Sequence, residues 1–284
     1  MAARSALHHH NSSWLPYKYD INVYRGCSHR CIYCYALYSH EYIGGGDFYG
    51  DIYAKTNVAD VLARELVRHG GQMVNLGGVC DSYQHAEREY RLMPQVLKLL
   101  AKHKVPTVVC TKSPLILRDI DLLEAVDKAN ALGTAFTITT MDAAVARLIE
   151  PDAPGPGERM DAVSKLRARG LACGVHMMPI IPFLTSEMSS LEAVFRAAKD
   201  AGAEYVLAGA LNLKGRTRPG FMDSVRLAFP SEYRKVREIY RSKQAYRAYK
   251  EHLHETLETL RKKYDMPFYR ELDVRKDTEQ LSFL

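Results

Sequence analysis

Short apolar segments of β-type residues alternate along most of the chain with longer stretches whose apolar positions recur at helical spacing. Residues 72–77 precede a helical pattern at 91–102, and residues 107–111 precede one at 119–130. The run 135–139 leads into a helical stretch at 142–149, 172–177 leads into 189–201, and 205–208 reads as a last short strand. With a first strand near 20–24 this makes about six strand–helix units. Alternation at that interval predicts parallel βαβ units with right-handed crossovers. A closed TIM barrel has about eight such units, so the expected class is α/β, a partial, open (β/α)6 TIM-type barrel with a C-terminal helical extension.

Glycines punctuate this pattern. Gly70, Gly71, Gly133, Gly170 and Gly202 fall between a helix and the following strand, where a helix C-cap calls for left-handed φ. A loop dense in Pro and Gly at 151–157 is followed by a further helix at 158–169 of the same unit. Beyond Asn212 the pattern changes to two charged helices at 231–241 and 244–263, with an extended segment at 267–272. The expected divisions are an N-terminal arm (1–19), the barrel (20–211) and the helical extension (212–284), which caps the open barrel or faces a partner.

A hydrophobic content of 47% over 284 residues supports one sizeable core. No apolar run is long enough for a signal-peptide core or a membrane span, so the expectation is a cytoplasmic protein with no membrane contact. The tract His8, His9, His10 is assigned no role. The formal charge of +6 is uneven: residues 212–276 hold 17 Lys and Arg against 9 Asp and Glu, so the C-terminal quarter carries the basic character.

The chemistry concentrates at Cys27, Cys31 and Cys34, in a C-x3-C-x2-C spacing. Structural zinc takes four protein ligands, whereas a [4Fe–4S] cluster held by three thiolates keeps one iron free for a small molecule. A zinc site with a distant fourth ligand, or three unrelated thiols, are the competing readings. Cys80, Cys110 and Cys173 are widely spaced, which argues against a disulfide framework and for a reducing compartment. Cys110 and Cys173 lie inside apolar strands and read as small buried hydrophobes. Cys80 instead falls where a strand empties into the barrel mouth, the end at which α/β barrels gather reactive groups.

With Tyr33 just before the last cysteine, the triad resembles that of the radical S-adenosylmethionine (SAM) superfamily. The resemblance implies the same open barrel and a [4Fe–4S] cluster whose free iron chelates the amino and carboxylate groups of SAM. Reductive cleavage then yields a 5′-deoxyadenosyl radical. It also implies that Gly77 and Gly78 approach SAM closely. The acidic residue usual after the glycines is Val79 here, so Asp81 or Ser82 is expected to meet the SAM amino group. Lys112 would neutralise the SAM carboxylate, or else be a solvated strand-end lysine. Thr139, Thr140 and His176 would line the ribose and adenine, or else be turn hydroxyls and a satisfied core histidine.

Tyr33-Cys34-Tyr35, Cys80-Asp81-Ser82, Thr111-Lys112 and the basic tail together resemble the spore photolyase branch of that superfamily. The resemblance implies a lyase that reverses a thymine-dimer lesion, with Cys80 as hydrogen donor and Tyr33 and Tyr35 as the relay. An external electron donor of flavodoxin or ferredoxin type goes with it. DNA would meet the basic region, where Arg234, Lys235, Arg237, Arg241, Lys243 and Arg247 lie among Tyr233, Tyr240, Tyr246 and Tyr249; the bland reading is a pair of solvated helices with tyrosines packed on the barrel. Two departures stand out. Only twenty-six residues precede the triad, and the photolyase-like branch includes many members of unknown substrate. Against a peptide substrate, no cysteine follows Cys173 to build a C-terminal auxiliary cluster. A peptide or small-metabolite substrate is the first alternative, and a non-catalytic metal-binding protein the second.

Overall fold

The computed structural model describes residues 1–12, 15–213 and 215–269. Its strands are β1 (Leu7–His9), β2 (Tyr19–Ile21), β3 (Tyr24–Arg25), β4 (Tyr53–Ala54), β5 (Val74–Leu76), β6 (Thr107–Thr111), β7 (Leu132–Thr137), β8 (Ala172–Ile180) and β9 (Val206–Ala210). The α-helices are α1 (Val58–Leu66), α2 (Glu87–Tyr90), α3 (Leu92–Lys102), α4 (Ile120–Ala129), α5 (Ala143–Ile149), α6 (Pro156–Ala168), α7 (Met188–Asp200), α8 (Thr217–Ala228), α9 (Pro230–Ile239) and α10 (Lys243–Tyr264). The main sheet has the order β1-β2-β5-β6-β7-β8-β9. β2 and β5 to β9 are mutually parallel and β1 is antiparallel on the edge. These are the six strands of a partial TIM-type barrel, in the order the hydrophobic pattern predicts.

Alternation along the strands sorts the two faces of the sheet. Val109, Phe136, Cys173, Val175 and Met177 are fully buried against the helices, while Val108, Cys110, Ala172, His176 and Met178 on the same strands are only half-buried and face the lumen. Helix α3 shows why the outer layer forms. Leu92, Met93, Val96, Leu97 and Leu100 recur at i, i+4 spacing and are buried. Its first N–H groups, at Leu92 and Met93, donate to the Glu87 carboxylate at 3.0 and 3.1 Å, which satisfies donors that a helix start otherwise leaves open.

Several expectations change. Residues 7–9 of the expected arm form β1, and the N–H groups of Ala6 and Leu7 donate to Glu65 on α1 at 3.0 and 2.8 Å. Helix α1 and the small β3–β4 pair were not foreseen. Gly70, Gly71, Gly170 and Gly202 do have left-handed φ, but Gly133 does not. β7 starts at Leu132, three residues before the expected strand, so Gly133 pairs with Val108 and Ala172 inside the ladder. Among its described residues the C-terminal region has three helices where two were expected. Pro219 and Gly220 mask α8 in the sequence, yet they fall in its first turn, where the missing proline N–H costs no intrahelical bond. Of the expected extended segment, residues 270–272 lie outside the described residues, and the Pro267 carbonyl accepts from the N–H of Val206 on β9 at 3.2 Å.

The C-terminal helices pack on the barrel. Leu253, Leu257 and Leu260 of α10 join the main core. Phe221, Val225, Val236 and Tyr240 of α8 and α9 build a second core with Cys31, Tyr33, Ile149, Ile181 and Leu211. That second core closes one side of the cysteine loop. Among the described residues no helix is long and apolar enough to cross a membrane.

Candidate active site

Cys27, Cys31 and Cys34 sit on the loop that follows β3, and the loop is fastened from several elements at once. Gly26 enters it with φ of 82°, and a Cβ there would lie 2.7 Å from the Asp51 carbonyl oxygen, so glycine is required. Gln84 braces the turn with both ends of its amide, accepting from Ser28 N–H at 2.9 Å and donating to the Gly26 carbonyl at 3.0 Å. The Tyr49 hydroxyl donates to the Cys31 carbonyl at 2.8 Å, and the Thr217 hydroxyl of α8 donates to the Cys34 carbonyl at 2.9 Å. Ile32 N–H donates to the Ile149 carbonyl at 3.0 Å.

Behind the loop lies a buried ion pair that the sequence did not reveal. Glu150 Oε2 and Arg159 stand 2.5 Å apart with side chains 1% and 2% exposed. The Tyr33 hydroxyl donates to the other oxygen of Glu150. Arg159 also donates to the carbonyls of Pro154 and Thr137 at 2.7 and 2.9 Å. Burial works against the charge on Glu150, but Arg159 and Lys112 more than offset it and hold its pKa below the usual range. The Pro/Gly loop thus serves to carry a carboxylate into the back of the cysteine loop.

All three cysteines line one cavity of about 530 Å³ at the barrel mouth, together with Tyr33, Tyr35, Gly77, Gly78, Cys80, Asp81, Lys112 and His176. Ser82 and Thr139 are not among its lining residues. Ser82 is fully buried, and β7 ends at Thr137, which lines the cavity instead. Asp81 turns out to hold the scaffold together. Its carboxylate accepts from the Thr111 hydroxyl at 2.7 Å and from the N–H groups of Lys112 and Tyr83 at 2.7 and 2.8 Å. It also faces the buried His29, whose Nδ1 is 3.4 Å away. Burial lowers the pKa of His29 against the opposing charge of Asp81.

Lys112 lies with its ammonium 5.6 Å from the centre of the Tyr33 ring. Burial disfavours its charge, yet Cys31 and Glu150 raise its pKa on balance. The Tyr35 hydroxyl crosses the mouth to donate to the Gly78 carbonyl. Cys80 is 4% exposed and its thiol donates to the Tyr24 carbonyl at 3.2 Å. Cys173 is fully buried, as expected, but Cys110 is a correction: it faces the lumen, lines the cavity and lies 4.0 Å from His176 Nδ1. Strand parity decides this, because Cys110 pairs with Ala135, which pairs with Gly174 on the lumen face. Burial, then Lys112, push His176 down to about 4, so it is neutral, and its Nε2 sits 3.2 Å from the Tyr205 hydroxyl.

The donor set fits an iron–sulfur cluster. Among the described residues no three metal-binding side chains converge on a point for a single ion, and a cluster does not ask for this, because each thiolate takes its own iron. Burial pushes the Cys27 thiol up to about 12 and raises Cys34 as well, so loading is coupled to loss of protons. The cationic Lys112 beside the three thiols suits an anionic group of a ligand on the open iron.

Comparison with known proteins agrees with this geometry. Residues 21–193 match the Radical SAM superfamily. The uncharacterised protein Rv2578c of Mycobacterium tuberculosis is 37% identical over 236 residues, covering 81% of this chain and 69% of that protein. The uncharacterised protein MJ0683 of Methanocaldococcus jannaschii is 28% identical over 246 residues, 87% of each. Spore photoproduct lyase complexed with dinucleoside spore photoproduct shares the fold with a TM-score of 0.60 at 15% identity, over 81% of this chain and 65% of that one. SuiB of Streptococcus suis bound to S-adenosylmethionine gives a TM-score of 0.51 at 13% identity, over 77% of this chain and 48% of that one. With the family match spanning more than half its length and three loop thiols on one cavity, the chain belongs to the radical SAM superfamily, whose members use a [4Fe–4S] cluster and S-adenosylmethionine.

Proposed function

We propose that the protein is a radical SAM lyase that reverses a thymine-dimer lesion of the spore-photoproduct type in DNA, with Cys80 returning a hydrogen atom to the product. The observation that carries this reading is the pairing, in one cavity, of the three loop thiols with a further thiol at Cys80 and a phenol at Tyr35. The likeness to spore photoproduct lyase supports it at the level of fold.

The cluster and SAM, reduced by an external one-electron donor of flavodoxin or ferredoxin type, supply a radical that takes one hydrogen atom from the lesion. The methylene crosslink then breaks and leaves an unpaired electron on one thymine. Cys80 gives its S–H hydrogen atom to that carbon and becomes a thiyl. Tyr35 would give its O–H hydrogen atom to the sulfur, and the bound cofactor would supply the hydrogen atom that restores the phenol. Tyr33 supports this chain because Glu150 can keep its phenolic proton when the ring is oxidised.

The exposed cations of α9 and α10 support DNA as the partner. Arg237 and Arg241 pair with Glu238, and Arg247 pairs with Glu251; among the others, Lys235 lies 5.8 Å from the centre of the Phe183 ring. Tyr240 is buried and stacks on Tyr246, so these two rings serve packing, and phosphate contacts carry the proposed affinity.

Reconstituted protein with SAM and dithionite is expected to release thymidine from dinucleoside spore photoproduct. Formation of 5′-deoxyadenosine without thymidine release would reject the lesion reading and turn the search to peptide or metabolite substrates. Cys80→Ala is expected to keep SAM cleavage and divert the product to adducts; an unchanged product distribution would remove Cys80 from the donor role.

A further inference from the structure

The lumen wall below the Gly77–Gly78 turn holds polar atoms that neither the cysteine loop nor the hydrogen-return chain uses. Asp20 on β2 pairs directly with Asn75 on β5, and Asn75 with Val108 on β6. Directly paired residues of parallel strands share a face, and Asn75 lines the cavity. Asn75 Nδ2 donates to Asp20 Oδ1 at 2.7 Å. A carboxylate only accepts, so the amide orientation is fixed and Asn75 Oδ1 points away from Asp20. That oxygen finds no donor among the described residues, although Asn75 is only 2% exposed.

Buried acceptors are as a rule satisfied, and an orphan at a binding cavity calls for a ligand group. The surroundings make room for one. A Cβ at Gly78 would stand 2.6 Å from Asp20 Oδ1 and 3.3 Å from Asn75 Nδ2, so this glycine lets the pair sit directly under the turn. The next row of the lumen starts with Cys110 and Ala135, whose side chains are small, while the Tyr205 ring fills the place beside Gly174 at its far end.

We propose that Asp20 and Asn75 form a recognition subsite for the imide edge of a thymine base. Asn75 presents Oδ1 as an acceptor and the second hydrogen of Nδ2 as a donor. An imide presents the complementary N–H beside a carbonyl, which gives two parallel hydrogen bonds. Asp20 holds the amide in that orientation, and its charge repels anions, so phosphates stay outside the lumen near the cations of α9. This inference rests on the reading of the substrate as a thymine lesion, in which both rings keep their imide N–H.

The test measures binding of dinucleoside spore photoproduct, and of the same compound methylated at the imide nitrogens, to the reconstituted holoenzyme. Wild type is expected to bind the methylated compound at least tenfold more weakly. Asn75→Leu, checked for iron content and thermal unfolding, is expected to lose at least tenfold for the unmethylated compound and to stop discriminating between the two. Equal binding of both compounds by wild type would overturn the subsite while leaving the lesion reading in place. Discrimination that survives in a folded Asn75→Leu would also overturn it, as would a variant whose affinity falls for SAM alone. Binding of neither compound by wild type would instead reject the lesion reading, and with it the ligand assigned to the subsite.

Discussion

The two walls of the cavity are finished to different degrees. On the loop wall the chain's own atoms brace the cysteine loop: Tyr33 donates to Glu150, Glu150 forms an ion pair with Arg159, Asp81 accepts three hydrogen bonds, and loop carbonyls receive Tyr49 and Thr217. On the lumen wall Asn75 Oδ1 has no donor among the described residues, and the Cys110 thiol makes a long contact to His176. A wall satisfied in advance holds the same group every turnover without reorganising, which suits a resident cofactor. A wall with open valences is completed by what binds it, which suits a substrate.

The contrast breaks most completely at the thiols. Replacing any one of Cys27, Cys31 or Cys34 by Ala is expected to abolish both the iron–sulfur absorbance of reconstituted protein and 5′-deoxyadenosine formation. Cys173→Ala is the internal control, since that thiol is buried in the core against the helices. Retention of a full complement of iron by a loop variant would show that the three thiols do not act as one ligand set.

The next largest effect falls on the ion pair. Glu150→Ala leaves Arg159 charged and without its carboxylate at a site 2% exposed. Removing one partner of such a pair costs about 3–5 kcal/mol, to be read from urea unfolding of the apoprotein. Replacing both partners with apolar residues of similar volume is expected to recover much of that loss, because the desolvation penalty goes with the charges. If Glu150→Ala costs no more than a surface change, the loop wall is held by its hydrogen bonds alone.

His176 gives the lumen wall a pH signature. Its pKa is about 4 in the folded protein and about 6.5 in an unfolded chain. The unfolded state therefore takes up a proton first as pH falls, and stability declines below about pH 6.5. Between pH 6.5 and 5, where most carboxylates stay ionised, the loss is about 1 kcal/mol after allowing for partial exposure. His176→Gln is expected to flatten this part of the stability profile. An unchanged slope in that variant would assign it to His29 or another histidine.

The loop wall and the lumen wall were also unequally legible in the sequence. The three thiols announce themselves by spacing, and six parallel strands follow from periodicity, because both signals are local. Glu150 and Arg159 gave no such signal: they flank a Pro/Gly loop about 120 residues from the cysteines and meet Tyr33 only once β7 and α6 are packed. Asn75 gave no signal of its own within its short strand, and Cys110 looked like a small core residue. Their direction into the lumen depends on register, and a one-residue change of register reverses every side chain of a strand. Ser82 and Thr139 were misjudged for the converse reason, since they lie past the strand ends, where parity no longer applies. Helix α8 was missed because Pro219 and Gly220 read as a turn until their place in its first turn is known.

The smallest effect tests whether the C-terminal helices belong to the loop wall. Thr217 stands 183 residues from Cys34 in the chain, yet its hydroxyl donates to the Cys34 carbonyl from the first turn of α8. Thr217→Val keeps the shape and removes one hydrogen bond, for an expected loss of about 1 kcal/mol. The more telling readout is local. If α8 fastens the loop, iron should leave the reconstituted variant faster under a chelator, while urea unfolding shifts only slightly. If α8 merely packs beside the loop, the two measurements should change together or not at all. A selective loss of iron retention would make α8 part of the wall that holds the cluster, since overall stability would then be nearly intact while the loop alone had loosened.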